Sequence, residues 1–170
     1  IMLSGSAVTL LMISGNFDLS IGSVVAFTGV MHAYMSKHGI PPSLSVVFAI
    51  GWGMLFGYLN GLTVARLKIT PVIATLATMY IARGFAFLVA RWDGGANISA
   101  GLPQDFSSFG RTMIGPLPLL AIIMIMLVAV FIFIERKTVF GRFIFAMGSN
   151  PDAARLSGVN VSGIITWLYI

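Results

Sequence analysis

Asp18 is the only acid among the first ninety residues, and it stands in GNFDLSIGS between two apolar runs. A carboxylate there can do two compatible things. It, or Asn16 in its place, can satisfy orphan N–H groups of a helix starting near Leu19. It can also mark a discontinuous helix at membrane depth, where free N–H groups and an acid bind a polar solute. Arg83 lies thirteen residues into the apolar run 71–90. A charge at that depth faces a bundle interior or a water-filled path, or snorkels to the surface. Asn60, Thr75, Thr78 and Tyr80 offer hydrogen bonds; each alone is more often an interhelical contact than a ligand contact. His32 and His38 have no acid cluster beside them, so no metal site is expected. No nucleophile, base and orienter come together, and there is no Walker A loop, so the expectation is neither an enzyme nor an ATP-binding chain, with no cofactor.

These residues hang on apolar runs that dictate the class. Hydrophobic residues make up 58% of the 170-residue chain and charged ones 9%, against about 25% charged in a soluble domain. This composition predicts a membrane protein, and runs of this length predict helices rather than the alternating pattern of a barrel. The spans are expected at about 1–14, 19–36, 44–65, 71–90 and 117–134, with the start of another at 161–170. A spanning helix needs about 20 residues, so the short final run is read as part of a longer protein. Gly53, Gly57 and Gly61 form a small-xxx-small face on the third run, which predicts close helix packing there. Thr70 before Pro71 fits a helix cap followed by a first-turn proline.

The net charge is +5, and the basic residues sit at the ends of apolar runs. That is the signature of cytoplasmic membrane loops, not of a nucleic-acid surface. Arg66 and Lys68 make one basic loop, and 135–160 carries four bases against two acids. The connection 91–116 is neutral, with Arg91 and Arg111 against Asp93 and Asp105. Loops 66–70 and 135–160 are therefore expected in the cytoplasm, with 37–43 and 91–116 outside and the Asn16–Asp18 break near the inner face.

The stretch Phe140–Val161, FGRFIFAMGSNPDAARLSGVNV, looks built to meet water. Asn150 and Pro151 read as a cap and a first-turn proline, with Asp152 in the first turn. A short helix DAARLS then ends at Gly158. Flanked by Gly141 and Gly148, and carrying Arg142 and Arg155, it is equally a docking element for a cytosolic partner and a plain headgroup-level loop.

With these motifs in view, the chain resembles the permease subunits of bacterial ABC importers for monosaccharides, of the ribose, xylose and galactoside type, within the branched-chain-transport permease superfamily. GNFDLSIGSVVAFTG (15–29), TPVIATLATMYIARG (70–84) and the Phe140–Val161 stretch carry the likeness, in order, over nearly the whole chain. Phe17 and Ser149 stand where the family often has smaller residues. The resemblance implies an all-α polytopic transmembrane bundle, about half of a permease with roughly ten helices. It implies a second permease subunit, a cytoplasmic ATP-binding subunit that hydrolyses ATP, and a periplasmic sugar-binding protein. It also assigns the 135–160 loop to coupling, through Gly141, Arg142, Gly148, Asn150, Pro151, Asp152, Ala153, Ala154, Arg155, Leu156 and Gly158. Polarity within apolar runs nominates Asn16, Asp18, Asn60, Thr75 and Arg83 for the sugar path. An ion-coupled secondary transporter and a non-transporting membrane scaffold are the rival readings.

Overall fold

The computed structural model describes residues 2–92, Leu102 and 108–170. Helix follows helix: α1 (Met2–Ile13), α2 (Ile21–Lys37), α3 (Pro42–Ala65), α4 (Pro71–Trp92), α5 (Ser108–Arg111), α6 (Leu119–Lys137), α7 (Val139–Ser149), α8 (Pro151–Leu156) and α9 (Val161–Tyr169). Between α5 and α6 a two-stranded ribbon pairs β1 (Met113–Ile114) with β2 (Leu117–Pro118), antiparallel, with Met113 opposite Pro118. Among the described residues, α3, α4 and α6 are long and apolar enough to cross a membrane. A chain of this composition in lipid must satisfy its backbone internally, which helices do. The result is a multi-pass, largely helical membrane bundle.

The ends of the helices follow from local chemistry. Gly39, at φ +87, turns the chain after α2, and Pro42 opens α3 at a position where its missing N–H is not needed. Arg136 and Lys137 occupy the last turn of α6, against the negative end of its dipole. Thr138 then caps α7, its hydroxyl accepting from the Gly141 N–H at 3.1 Å. The Asn150 carboxamide oxygen accepts from the N–H groups of Asp152 and Ala153, at 3.1 and 2.9 Å, and so starts α8.

Two groups of helices result. α2, α3 and α4 close around Phe27, Phe56, Ala82 and Val89, with the Phe27 and Phe56 rings edge to face at 5.5 Å. α1, α7, α8 and α9 close around Leu10, Ile144, Met147, Ala154, Val161 and Ile164. The seam between the groups is α3 on α9, joined by Leu11, Val64, Ala74 and Tyr169. On the glycine face of α3, an added Cβ at Gly57 would run into the Tyr169 carbonyl, and one at Gly61 would lie 2.8 Å from the Thr166 Cα. Backbone meets backbone there, as small residues permit. Gly53 faces α2 instead, with Thr28 Cγ2 at 4.0 Å.

Loop 135–160, expected to hold one short helix, holds two, α7 and α8, and α6 runs on through Glu135–Lys137. Gly141, Ile144 and Met147 fall on one face of α7 at helical spacing, and all three are buried. Asp93, Asp105 and most of the expected loop 91–116 lie outside the described residues.

Candidate functional site

Seven residues, Ser14–Ser20, separate α1 from α2. Gly15 takes φ +80, which reverses the chain without a side-chain clash. The Asp18 carboxylate, partly buried, accepts from the Ser20 N–H at 2.7 Å and from the Ser20 hydroxyl at 2.6 Å. Ser20 is the residue before the first turn of α2, so the acid holds the helix entry rather than reaching into its first turn. The Ser20 hydroxyl in turn accepts from the Asn60 carboxamide at 3.0 Å. The Thr78 hydroxyl donates to the Asn60 carboxamide oxygen at 2.5 Å. A polar chain thus runs Thr78–Asn60–Ser20–Asp18 and ties α4, α3 and the start of α2 together. Asn60 and Ser20 are fully buried, and both have partners. In an apolar bundle that is the condition for keeping them.

The depth of this chain follows from helix geometry. Asn60 stands five residues before Ala65, the last residue of α3, and Thr78 seven residues after Pro71, the first of α4. At 1.5 Å per residue these are roughly 8 and 10 Å in from the helix ends. α2 therefore begins inside the bundle, where the Asp18 carboxylate holds the Ser20 N–H just ahead of the first turn and no side chain caps the turn itself. Beside it, a cleft of about 220 Å³ is lined by Asp18, Ser20, Val24, Gly53, Gly57 and Tyr169, among others. The Tyr169 hydroxyl donates to the Phe17 carbonyl at 2.8 Å.

The second candidate lies where the loop 66–70 meets α8. A cleft of about 540 Å³ there is lined by Asn16, Lys68, Thr70, Pro151, Arg155 and Ser162, among others. The helix break, the basic loop and the start of α9 thus share one end of the bundle. Lys37 and Pro42 lie at the far ends of α2 and α3. There Ser45 bonds Ser36 at 2.9 Å and the His32 Nδ1 at 2.6 Å. On α8, Asp152 and Arg155 form an exposed pair at 3.3 Å, which contributes little to stability. Leu156 is 91% exposed, and Arg142 is exposed on α7.

The family model for the permease component of branched-chain amino acid transport systems matches residues 1–170. The chain belongs to this permease family. The galactofuranose transporter permease of Escherichia coli is 38% identical to it over 162 residues, covering 95% of this chain and 46% of that protein. The fructose import permease of Rhizobium meliloti is 34% identical over 172 residues, covering 97% and 47%. The ribose import permease of Bacillus subtilis is 33% identical over 161 residues, covering 95% and 49%. This permease chain spans about half the length of the curated relatives it matches. No solved structure matches it. Family and relatives are transport permeases rather than enzymes, and place it in the bacterial inner membrane as a multi-pass protein.

The nominated path residues separate in the permease. Asp18 and Asn60 are joined through Ser20. Asn16 is buried and donates to the Ser14 carbonyl and hydroxyl at 3.2 and 2.9 Å, beside the 540 Å³ cleft. Thr75 is fully buried but donates back to the Pro71 carbonyl of its own helix at 2.8 Å. Arg83 is uncovered on α4, with no ion pair or hydrogen bond to a described side chain. The residues nominated for coupling separate too. Asp152, Ala153, Arg155 and Leu156 face outward, whereas Ala154 is buried in the core with Ile144 and Val161. An added Cβ at Gly141 would meet the Glu135 carbonyl, and one at Gly148 the Ile13 carbonyl, so both serve close packing. Pro151 and Asn150 form the cap, and Gly158, at φ +84, ends α8. Sequence reasoning passed over Ser20 and Tyr169. The signal for Ser20 was a serine two places after Asp18; for Tyr169 it was a hydroxyl near the end of an apolar run.

Proposed function

We propose that this chain forms part of the permease subunit of an ATP-driven importer and helps carry a monosaccharide across the inner membrane. The match to permeases for fructose, galactofuranose and ribose along almost the whole chain supports that cargo class. The helix break at Asp18, set inside the bundle with a cleft beside it, supplies a polar step within an apolar wall. Asp18 and the buried polar residues Asn16, Asn60 and Thr75 belong to the path in this reading, with Arg83 facing parts of the importer beyond this chain. A periplasmic sugar-binding protein delivers the cargo, and a second permease subunit completes the pore.

The observation that carries the coupling is α8. It is a capped helix at the Lys68 end, with a bare leucine and a charged pair on its outer face. A cytoplasmic ATP-binding subunit docks there, with Leu156 as the apolar knob and Arg142 and Arg155 as cations for its acids. ATP binding and hydrolysis in that subunit shift the permease between states because the docked partner binds them with different affinity. The sidedness follows: 66–70 and 135–160 inside, 37–43 and 91–116 outside.

The test uses Leu156→Cys, since Ala154 points into the core. In the assembled importer, this cysteine should cross-link to the ATP-binding subunit, and the yield should change with ATP. With both subunits present and folded, a clean absence of the cross-link would return the scaffold reading.

A further inference from the structure

We propose that Tyr169 is a positioning residue that links movement of α8 to the helix break at Asp18; this rests on the docking reading above. Three observations lead to it. The first is the hydrogen bond from the Tyr169 hydroxyl to the Phe17 carbonyl, at 2.8 Å across 152 positions of sequence. Phe17 lies in the unwound stretch, where no helix ladder satisfies its carbonyl, so its position depends on this partner.

The second is that Tyr169 is held from behind. Its own carbonyl lies against Gly57, where not even a methyl group fits, and only 7% of the residue is exposed. The tyrosine cannot swing on its helix to follow or release Phe17; it moves when α9 moves.

The third is the stiffness between α8 and α9. Four residues join them, and backbone bonds pin the turn: Gly158 N–H to the Arg155 carbonyl at 3.0 Å, and Val159 N–H to the Ala154 carbonyl at 3.1 Å. The Asn160 side chain then caps α9, accepting from the Gly163 N–H at 3.0 Å. Ala154 of α8 and Val161 and Ile164 of α9 share one core. A push on α8 therefore reaches Tyr169 through the nine residues Val161–Tyr169 of α9, roughly 13 Å at 1.5 Å per residue. Tyr169 in turn acts on Phe17, next to the carboxylate that grips Ser20 and, through it, Asn60 and Thr78. The partner's displacement is thereby read out as a shift of Asp18 beside its cleft.

A merely structural hydrogen bond would predict something different, so the test reads movement rather than stability. This chain contains no cysteine, and Leu19, half-exposed within the break, can carry one as Leu19→Cys. In the assembled importer, a water-soluble thiol reagent is applied with no nucleotide, with ATP and with ATP plus vanadate. The labelling rate should change by about fivefold or more between states, the lower range of a typical coupling. In Tyr169→Phe, which keeps the ring and removes only the donor, the rate should become nearly independent of nucleotide. Ser45→Ala, which removes a hydroxyl from the polar cluster at the far end, should keep the nucleotide dependence. An unchanged dependence in Tyr169→Phe overturns the proposal, as does equal loss in Ser45→Ala. A Leu19→Cys rate that ignores nucleotide in the parent overturns it whether or not Tyr169→Phe assembles. The Leu156→Cys cross-link reports separately whether the partner is docked, so failure of this link and failure of docking are distinguishable.

Discussion

Asn60 is a hydrogen-bond hub whose two neighbours come from different helices. Asn60→Ala leaves the part-buried Thr78 hydroxyl without its acceptor and removes the donor to the Ser20 hydroxyl, which keeps only its bond to Asp18. The expected loss is about 1–3 kcal/mol, read as a lower melting temperature in detergent. Thr75→Val is the contrasting variant. Its hydroxyl bonds carbonyls of its own helix, Pro71 and more weakly Val72, so the expected change is below about 1 kcal/mol. Equal losses in the two variants would refute the hub. The polar residues themselves were legible in the sequence, because an asparagine or aspartate inside an apolar run stands out. Their connections were not. Asn60 and Ser20 are separated by 40 positions, and nothing in the local pattern tells a residue that bonds its own helix, such as Thr75, from one that bonds its neighbour.

Helix packing turns on the glycines, and they are not equivalent. On α3, Gly51 has open space around an added Cβ, whereas Gly57 has a backbone carbonyl. Gly51→Ala should therefore be neutral or stabilising by up to about 1 kcal/mol, since alanine is the better helix former. Gly57→Ala should cost about 1–3 kcal/mol, because a backbone cannot step aside as a side chain can. Paired thermal melts of the two variants check this. The small-residue face of α3 was visible in the sequence; which helix it would receive was not, since α9 is contributed from the other end of the chain. α7 was missed for a different reason. Its glycines and Arg142 give it the composition of a loop, while its buried face rests on the spacing of Gly141, Ile144 and Met147.

For the whole molecule, the outcome to check is orientation. The basic loop, the helix break and α8 share one end of the bundle, as a single cytoplasmic face requires. In intact cells an impermeant thiol reagent should label Ile40→Cys from outside. Lys68→Cys and Leu156→Cys should react only after permeabilisation. The opposite pattern would invert the bundle and remove α8 from the ATP-binding subunit. One face of α6 rests on α1 and α7, with Phe131 against the core around Ile144, but no α6 residue is fully buried, so the rest of its apolar surface stays uncovered among the described residues.

The seam of α3 on α9 also sets a timetable for biogenesis. Ser162 reaches back to the Ala65 carbonyl across 97 positions, next to the glycine face of α3. At a synthesis rate of about 5–20 residues per second, α3 leaves the ribosome on the order of 5–20 s before its packing partner. Throughout that interval the glycine groove lies open in the bilayer, with lipid or an insertion factor as its provisional neighbour. Assembly of this permease is therefore governed as much by the order in which its helices arrive as by how well they finally fit.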